Sequence, residues 1–255
     1  MDHKVLSIVN QKGGVGKTTT AVNLATALSV VDKKVLLIDL DPQGNASSSL
    51  GFDQSKRTKT IYDVVADLTP IKNAILKTNY TLLDLISSDV NLLAAEIELV
   101  PLRDREYILK NKLEKIRKNY DYIIIDCPPA LGLLSMNALV ASQEVIIPIQ
   151  CEFLALEGLS YLLQTIEIVK NRFNSNLKIL GVLLTMYDKR NRLTDSVAED
   201  VRSCLGDLVF KTYIPRNIKL SEAPSYGKPA IIYDHKCSGS IAYMHLVKEI
   251  LEDKS

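Results

Sequence analysis

The amino-acid sequence predicts an α/β fold: a mainly parallel, twisted sheet with helices on both faces, in a single domain that takes up residues 1–255. Short apolar runs alternate with longer segments of helical period from one end to the other, the rhythm of β-α units. Several runs are apolar at consecutive positions, as strands buried on both faces require. A length of 255 residues, 47% hydrophobic and 24% charged, sits near the upper limit of one hydrophobic core and excludes disorder as the dominant state.

The first strand is expected at residues 5–9, and the first helix at 17–31, where Ala21, Leu24, Ala25, Leu28 and Val31 form one stripe. A strand at 35–39 follows. The polar stretch 51–79, with one short apolar segment at 61–65, reads as loops and small helices over one edge, before a strand at 82–86. Strands are expected again at 122–126, 144–149, 179–184 and 209–214. Between them a helix at 156–169 aligns Leu156, Leu159, Leu163, Ile166 and Val169. The tail from 240 to 255 reads as a packed terminal helix with Ile241, Leu246, Val247, Ile250 and Leu251 on one side. On its polar face Glu249, Glu252 and Asp253 offset Lys248 and Lys254, so it lacks the cationic excess of a helix that lies on an anionic membrane.

Thirty-one Lys and Arg against 30 Asp and Glu leave a net charge of +1, so any nucleic-acid binding must rest on a local basic patch. No run approaches the roughly 18 apolar residues of a membrane span. The N-terminus enters the first strand directly, without room for a secretion signal, and a cytoplasmic location is expected. Cys127, Cys151, Cys204 and Cys237 are far apart and form no C-x-x-C pair. They are expected to be reduced and mostly buried.

Directly after the first strand stands Gln11-Lys12-Gly13-Gly14-Val15-Gly16-Lys17-Thr18-Thr19, and a helix begins at once. Strand, glycine loop and helix in this order make a phosphate cradle of the P-loop NTPase type. The glycines let successive backbone N–H groups turn towards phosphate oxygens, and the helix N-terminus adds its partial positive charge. Lys17 supplies a full charge to the β- and γ-phosphates, and the Thr18 hydroxyl is placed to ligate Mg²⁺. Gln11 replaces the first glycine of the general pattern, and Lys12 adds a second lysine to the loop.

This loop resembles the deviant Walker A motif of the ParA/MinD family of dimerising ATPases. The resemblance extends through Leu37-Ile38-Asp39-Leu40-Asp41-Pro42-Gln43-Gly44-Asn45 and through Tyr122-Ile123-Ile124-Ile125-Asp126-Cys127-Pro128-Pro129, which is similar to Walker B. It continues in Pro148-Ile149-Gln150-Cys151-Glu152, Thr185-Met186-Tyr187-Asp188 and residues 214–224, and is closest to the chromosomal, Soj-like ParA branch.

The resemblance implies ATP and Mg²⁺ as cofactors, with residues 12–19 around the phosphates. Asp126, at the end of an apolar strand where a carboxylate is costly unless it serves a cation, is implied to hold Mg²⁺ through water. A helix cap is its plainer reading. Asp39 and Asp41 would share one face if both were extended, and Pro42 biases Asp41 that way. The family makes Asp41 the group that activates the attacking water, and Asp39 a structural carboxylate or one that reaches the metal only through other groups. Lys12 is implied to cross a dimer interface onto the partner's nucleotide, as an arginine finger does. A solvated lysine or a contact within its own subunit is the alternative. Pro215 and Asn217 match the adenine-proximal loop, though a turn with an Asn cap fits the same residues.

The implied output is a homodimer formed with ATP, which binds double-stranded DNA without sequence preference and is stimulated by a ParB-type protein. Arg190 and Lys219 match the DNA-contacting positions, Lys219 standing where arginine is usual, so that it offers a point charge without bidentate geometry. The cluster Lys189, Arg190 and Arg192 also reads as an ordinary solvated loop. A nucleoid-associated protein without membrane binding is expected. Because nothing resembling a helix-turn-helix precedes the first strand, operator-specific DNA binding is not expected. The competing outcome is a MinD-like positioning scaffold that recruits a protein complex without DNA. Metabolic relatives share the loop, an iron-sulfur reductase component and a synthetase that phosphorylates a small acid. The surroundings of Cys127 disfavour the first of these, and the later partition-type blocks the second.

Overall fold

The computed structural model describes residues 3–152 and 155–252; Asp253, Lys254 and Ser255 of the expected terminal helix lie outside them. Its strands are β1 (Lys4–Ile8), β2 (Val35–Asp39), β3 (Ile75–Lys77), β4 (Leu83–Ile86), β5 (Tyr122–Asp126), β6 (Glu144–Gln150) and β7 (Lys178–Thr185). They form one sheet in the order β3-β4-β2-β5-β1-β6-β7. Every neighbouring pair is parallel except β3 with β4. β1 lies between β5 and β6, and the chain winds away from it on both sides, so the crevice at its C-terminal end is the topological switch point where such sheets bind ligands.

The alternation within each strand divides the core in two. Leu36 and Ile38 of β2 and Ile123 and Ile125 of β5 point to one face; Leu37 and Ile124 point to the other. The first face is covered by helices that include Leu133–Ala141 and Ala155–Arg172, and the second by Lys17–Val30 and the C-terminal helix Ser238–Glu252. Both faces are therefore dry, which is why β2 and β5 are apolar at every position up to their terminal aspartates.

Two edges differ from the sequence expectation. Residues 209–214 are not a strand: only the single bridges Val182 to Val209 and Tyr187 to Pro215 form there. The reason is Glu249 of the C-terminal helix, whose carboxylate accepts from Lys211 N at 2.7 Å and Thr212 N at 3.0 Å, saturating the donors that a ladder would need. At the other edge β3 pairs antiparallel with β4 inside the stretch read as loops. Three residues carry no readable period. Asp84 of β4 then accepts from Lys77 Nζ and from Tyr120 Oη at 2.8 Å, which ties down the short strand.

The terminal helix packs as expected through Tyr243, Leu246, Val247 and Ile250, but Ile241 is 44% exposed, facing a groove rather than the core. Cys127 and Cys151 are buried, whereas Cys237 is half-buried and Cys204 exposed, so the cysteines are not mostly interior. Among the described residues no helix is long and apolar enough to cross a membrane.

Candidate functional site

The glycine loop leaves the C-terminal end of β1 and enters the helix Lys17–Val30 through Gly16, at φ 88°, with Gly14 at φ 76°. Both lie in the left-handed region that side chains avoid, which explains glycine there. Gln11, Lys12, Gly13 and Gly14 are exposed, while Val15 is buried and anchors the loop. Three contacts outside the motif hold its shape. Asn10 accepts from Lys12 N at 2.9 Å and donates through Nδ2 to Pro148 O at 2.7 Å. Thr185 at the end of β7 donates through Oγ1 to Val15 O at 2.8 Å. Sequence reasoning gave Asn10 no role, although an Asn two residues before a turning N–H is a recognisable Asx signal.

Lys17 is 7% exposed, and its ammonium donates to Lys12 O at 3.0 Å. Burial pushes its pKa below the ordinary lysine value, against the pull of Asp126 and Asp41 nearby. Thr18 and Thr19 begin the helix and are half-buried at its mouth. Asp126 closes β5 in register with Asp39 of β2 and Ile8 of β1. It is completely buried, and neither carboxylate oxygen meets a donor in hydrogen-bond geometry. The Thr18 hydroxyl faces it and offsets part of its cost without reaching that geometry. Burial first, then the charge of Asp39, holds the Asp126 carboxyl well above the usual range. A cap or turn would have engaged those oxygens, so the plainer reading of Asp126 falls away.

An orphaned, wholly buried carboxylate beside a threonine hydroxyl and a lysine fits a site for a small divalent cation, because the cation supplies the missing charge. No group of three or more His, Cys, Asp and Glu side chains among the described residues is placed to hold a metal ion by itself. Mg²⁺ keeps several waters and takes further oxygens from substrate phosphates, so it does not need such a cage.

Asp39 is also fully buried, but satisfied. Its Oδ2 accepts from Ser47 N and Ser47 Oγ, each at 2.7 Å, and Oδ1 from Asp41 N at 3.3 Å. Burial pushes its carboxyl up to about 6 despite those donors. Its visible work is structural, pinning the short helix Asn45–Ser49. Asp41 lies past the end of β2, so it does not continue the strand face of Asp39. β2 ends at Asp39, and Asp41 sits in a bend where its Oδ1 accepts from Gln43 N at 2.9 Å and its carbonyl from Gly44 N at 2.9 Å. The bend still keeps the Asp41 charge within reach of Lys17 and Asp126.

The remaining positions lie farther out. Lys12 Nζ donates to Glu152 Oε2 at 2.6 Å, so in the single chain the lysine is held within its own subunit, across the mouth of the loop. Pro215 and Asn217 line a cavity of about 500 Å³ together with Gly16, Thr19 and Met186. That volume suits a nucleoside beside a phosphate loop. Met186 is at φ 51°, an unusual conformation for a side-chain-bearing residue. Asn217 is at the same time the cap of the helix Ile218–Glu222, accepting from Lys219 N at 2.8 Å, and its Nδ2 donates to Ser238 Oγ. Its amide is thus committed to the cap that the plainer reading foresaw.

In the single chain each of the two expected DNA-contacting cations is paired with an acid of its own. Arg190 makes a forked pair with Asp188, Nε to Oδ1 at 2.9 Å and Nη2 to Oδ2 at 2.8 Å, with its side chain 87% exposed. Lys219 pairs with Glu222 at 2.9 Å and lies over the Tyr233 ring. Arg190 belongs instead to a groove of about 1190 Å³ whose lining includes Lys189, Lys211, Arg216, His245 and Lys248.

Comparison with known proteins agrees with this geometry. A family model described as an AAA domain matches residues 3–179. The chain is 52% identical over 250 residues to the chromosome partitioning protein ParA of Caulobacter vibrioides, covering 97% of this chain and 94% of that protein. It is equally 52% identical over 247 residues to the sporulation initiation inhibitor protein Soj of Bacillus subtilis, covering 97% and 98%. The crystal structure of cobyrinic acid a,c-diamide synthase from Mycobacterium smegmatis with bound ADP and magnesium superimposes with a TM-score of 0.87 at 37% identity, over 99% of this chain and 96% of that one. With its Lys-Gly-Gly loop, the buried acids at the ends of β2 and β5 and this near-full-length identity, the chain belongs to the ParA/Soj family of chromosome-partitioning ATPases.

Proposed function

We propose that residues 1–255 act as one ATP-dependent switch. The chain binds Mg²⁺ and ATP, dimerises around the nucleotide, binds duplex DNA without sequence preference, and is returned to the monomer by hydrolysis that a ParB-type partner accelerates. The observation that carries this reading is the buried, unpartnered Asp126 carboxylate beside Lys17 and Thr18, whose charge a bound cation would compensate. In this reading residues 12–19 surround the phosphates, and Pro215 and Asn217 flank the base. Thr18 and, through water, Asp126 would hold Mg²⁺, and the bound ion would screen charge on the phosphate oxygens. Asp41 orients the water that attacks the γ-phosphorus and takes its proton, and ADP and phosphate leave. Asp39 acts by holding the Asp41 segment. A cytoplasmic, nucleoid-associated location follows, without membrane attachment.

Lys12 must leave Glu152 to reach a partner's nucleotide. Both side chains are about half exposed, so an ion pair between them costs little to break. The Lys12→Ala chain is expected to bind ATP within a few-fold of wild type yet remain monomeric in analytical ultracentrifugation with ATP and Mg²⁺. An ATP-dependent dimer in that variant would remove the lysine from the interface.

The overall test is duplex binding without nucleotide, with ADP, and with ATP plus Mg²⁺ at two salt concentrations. Binding is expected only with ATP and to weaken steeply with salt, because each neutralised phosphate releases counterions. Arg190→Ala is expected to lower the affinity at least tenfold. One observation favours the scaffold reading instead: Arg190 and Lys219 are each already paired with a carboxylate. No ATP-dependent duplex binding at either salt, with ATP-dependent recruitment to liposomes or to a protein complex, would decide for it.

A further inference from the structure

Arg57 lies outside every motif, in the stretch of the chain with the weakest sequence signal, yet its guanidinium donates four hydrogen bonds, none of them to a carboxylate among the described residues. Nη1 donates to Ser88 O at 2.9 Å, Nη2 to Ser48 Oγ at 2.7 Å and to Phe52 O at 2.8 Å, and Nε to Phe52 O at 2.9 Å. These acceptors belong to three segments: the end of β4, the helix Asn45–Ser49 and the loop after it. A planar, five-donor fork can span such a set, and a lysine cannot.

The Ser48 hydroxyl passes the effect onward. It accepts from Arg57, so its one proton is directed to Gly44 O, at 3.1 Å, and Gly44 N in turn donates to Asp41 O at 2.9 Å. Gly44 is fitted to the arginine. It sits at φ 64°, and a Cβ there would stand 2.1 Å from Arg57 Nη1 and 2.9 Å from Ser88 O. On the opposite side Asp39 grips Ser47, whose hydroxyl also accepts from Ser88 N at 3.1 Å. The Asp41 turn is therefore clamped from inside by Asp39 and from outside by Arg57, with Ser88 common to both.

We propose that Arg57, acting through Ser48 and Gly44, is a positioning residue that sets the direction of the Asp41 carboxylate for hydrolysis. This rests on the reading of Asp41 as the group that orients the attacking water. Arg57 touches neither the glycine loop nor the base cavity, so nucleotide affinity is independent of it. A near-attack geometry lost by a fraction of an ångström lowers the chemical step by about tenfold or more.

The test is single-turnover hydrolysis of ATP by excess full-length chain, read beside the ATP dissociation constant, for wild type, Arg57→Ala, Arg57→Lys, Ser48→Ala and Asp41→Ala. Arg57→Ala is expected to slow hydrolysis at least tenfold with the dissociation constant within twofold of wild type. Ser48→Ala, which keeps the arginine, is expected to slow it in the same direction, and Arg57→Lys to restore less than half of the lost rate. Because the rate is counted per bound nucleotide, a merely unstable variant would show fewer sites at the wild-type rate. A wild-type rate per site in Arg57→Ala and Ser48→Ala, with Asp41→Ala inactive, overturns the clamp and leaves the role of Asp41 standing. Turnover retained in Asp41→Ala overturns both.

Discussion

Replacing Asp41 by alanine is expected to lower ATP hydrolysis by about 10²–10⁴-fold, the range that a positioned acid or base contributes. The loss should fall on the chemical step alone. The backbone turn survives, since it is closed by Gly44 N on Asp41 O, and only the bond from Gln43 N to the side chain disappears. Lys17 keeps its bond to Lys12 O, and the orphaned Asp126 remains available to a cation. ATP and Mg²⁺ should therefore bind, and the variant should accumulate as an ATP dimer on duplex DNA. Phosphate release and sedimentation, measured on the same sample, check this. Hydrolysis at the wild-type rate would exclude Asp41 from the mechanism.

Asp126→Asn is expected to have opposite effects on function and on the stability of the free chain. With nucleotide, it removes the negative charge that the cation requires, and the rise in melting temperature produced by ATP with Mg²⁺ should shrink to that produced by ATP alone. Without nucleotide, the same change relieves a buried, unpartnered carboxylate that stands beside Asp39. The pH dependence gives a sign. Asp39 titrates at about 6 in the folded chain against 3.8 for its ordinary value, and Asp126 is raised as well. The folded chain thus binds more protons than the unfolded one, so Asp39 contributes stability that is complete below about pH 4 and lost as pH rises through about 6, and Asp126 contributes with the same sign. For Asp39 alone the loss is on the order of 3 kcal/mol. The free wild-type chain should melt lower at pH 8 than at pH 5, and Asp126→Asn should reduce that difference. An unchanged difference would mean that Asp126 carries no such cost.

Most of the sheet was legible because strands buried on both faces leave a strong local trace. β2 and β5 need apolar residues at each position, and their shortness and β-branched content mark such runs as strands rather than buried helix. The phosphate loop was equally legible, since a backbone that must turn through φ 76° and 88° requires glycine at Gly14 and Gly16 whatever the rest of the chain does. Edges were not. The apolar run at 209–214 reads as a strand, and it fails to be one because a carboxylate from the terminal helix, nearly forty residues away, captures two of its N–H groups. β3, at three residues, is defined only by its pairing with β4.

The residues by themselves determined that a turning glycine loop would follow the first strand and that an acid would close the buried strand at 122–126, because glycine stereochemistry and the apolar requirement of a covered strand are local. Direction and partnership were decided by the tertiary structure. Only the folded chain shows Lys12 turned back on Glu152, Arg190 and Lys219 matched by their own acids, and the Asp41 carboxylate tied to Gln43 N past the end of β2. Only the folded chain places Arg57 against Ser48 and Ser88. The Lys12 and Arg57 contacts join residues 9 to 140 apart along the chain, and no pattern of neighbouring residue types encodes which long side chain will reach which acceptor.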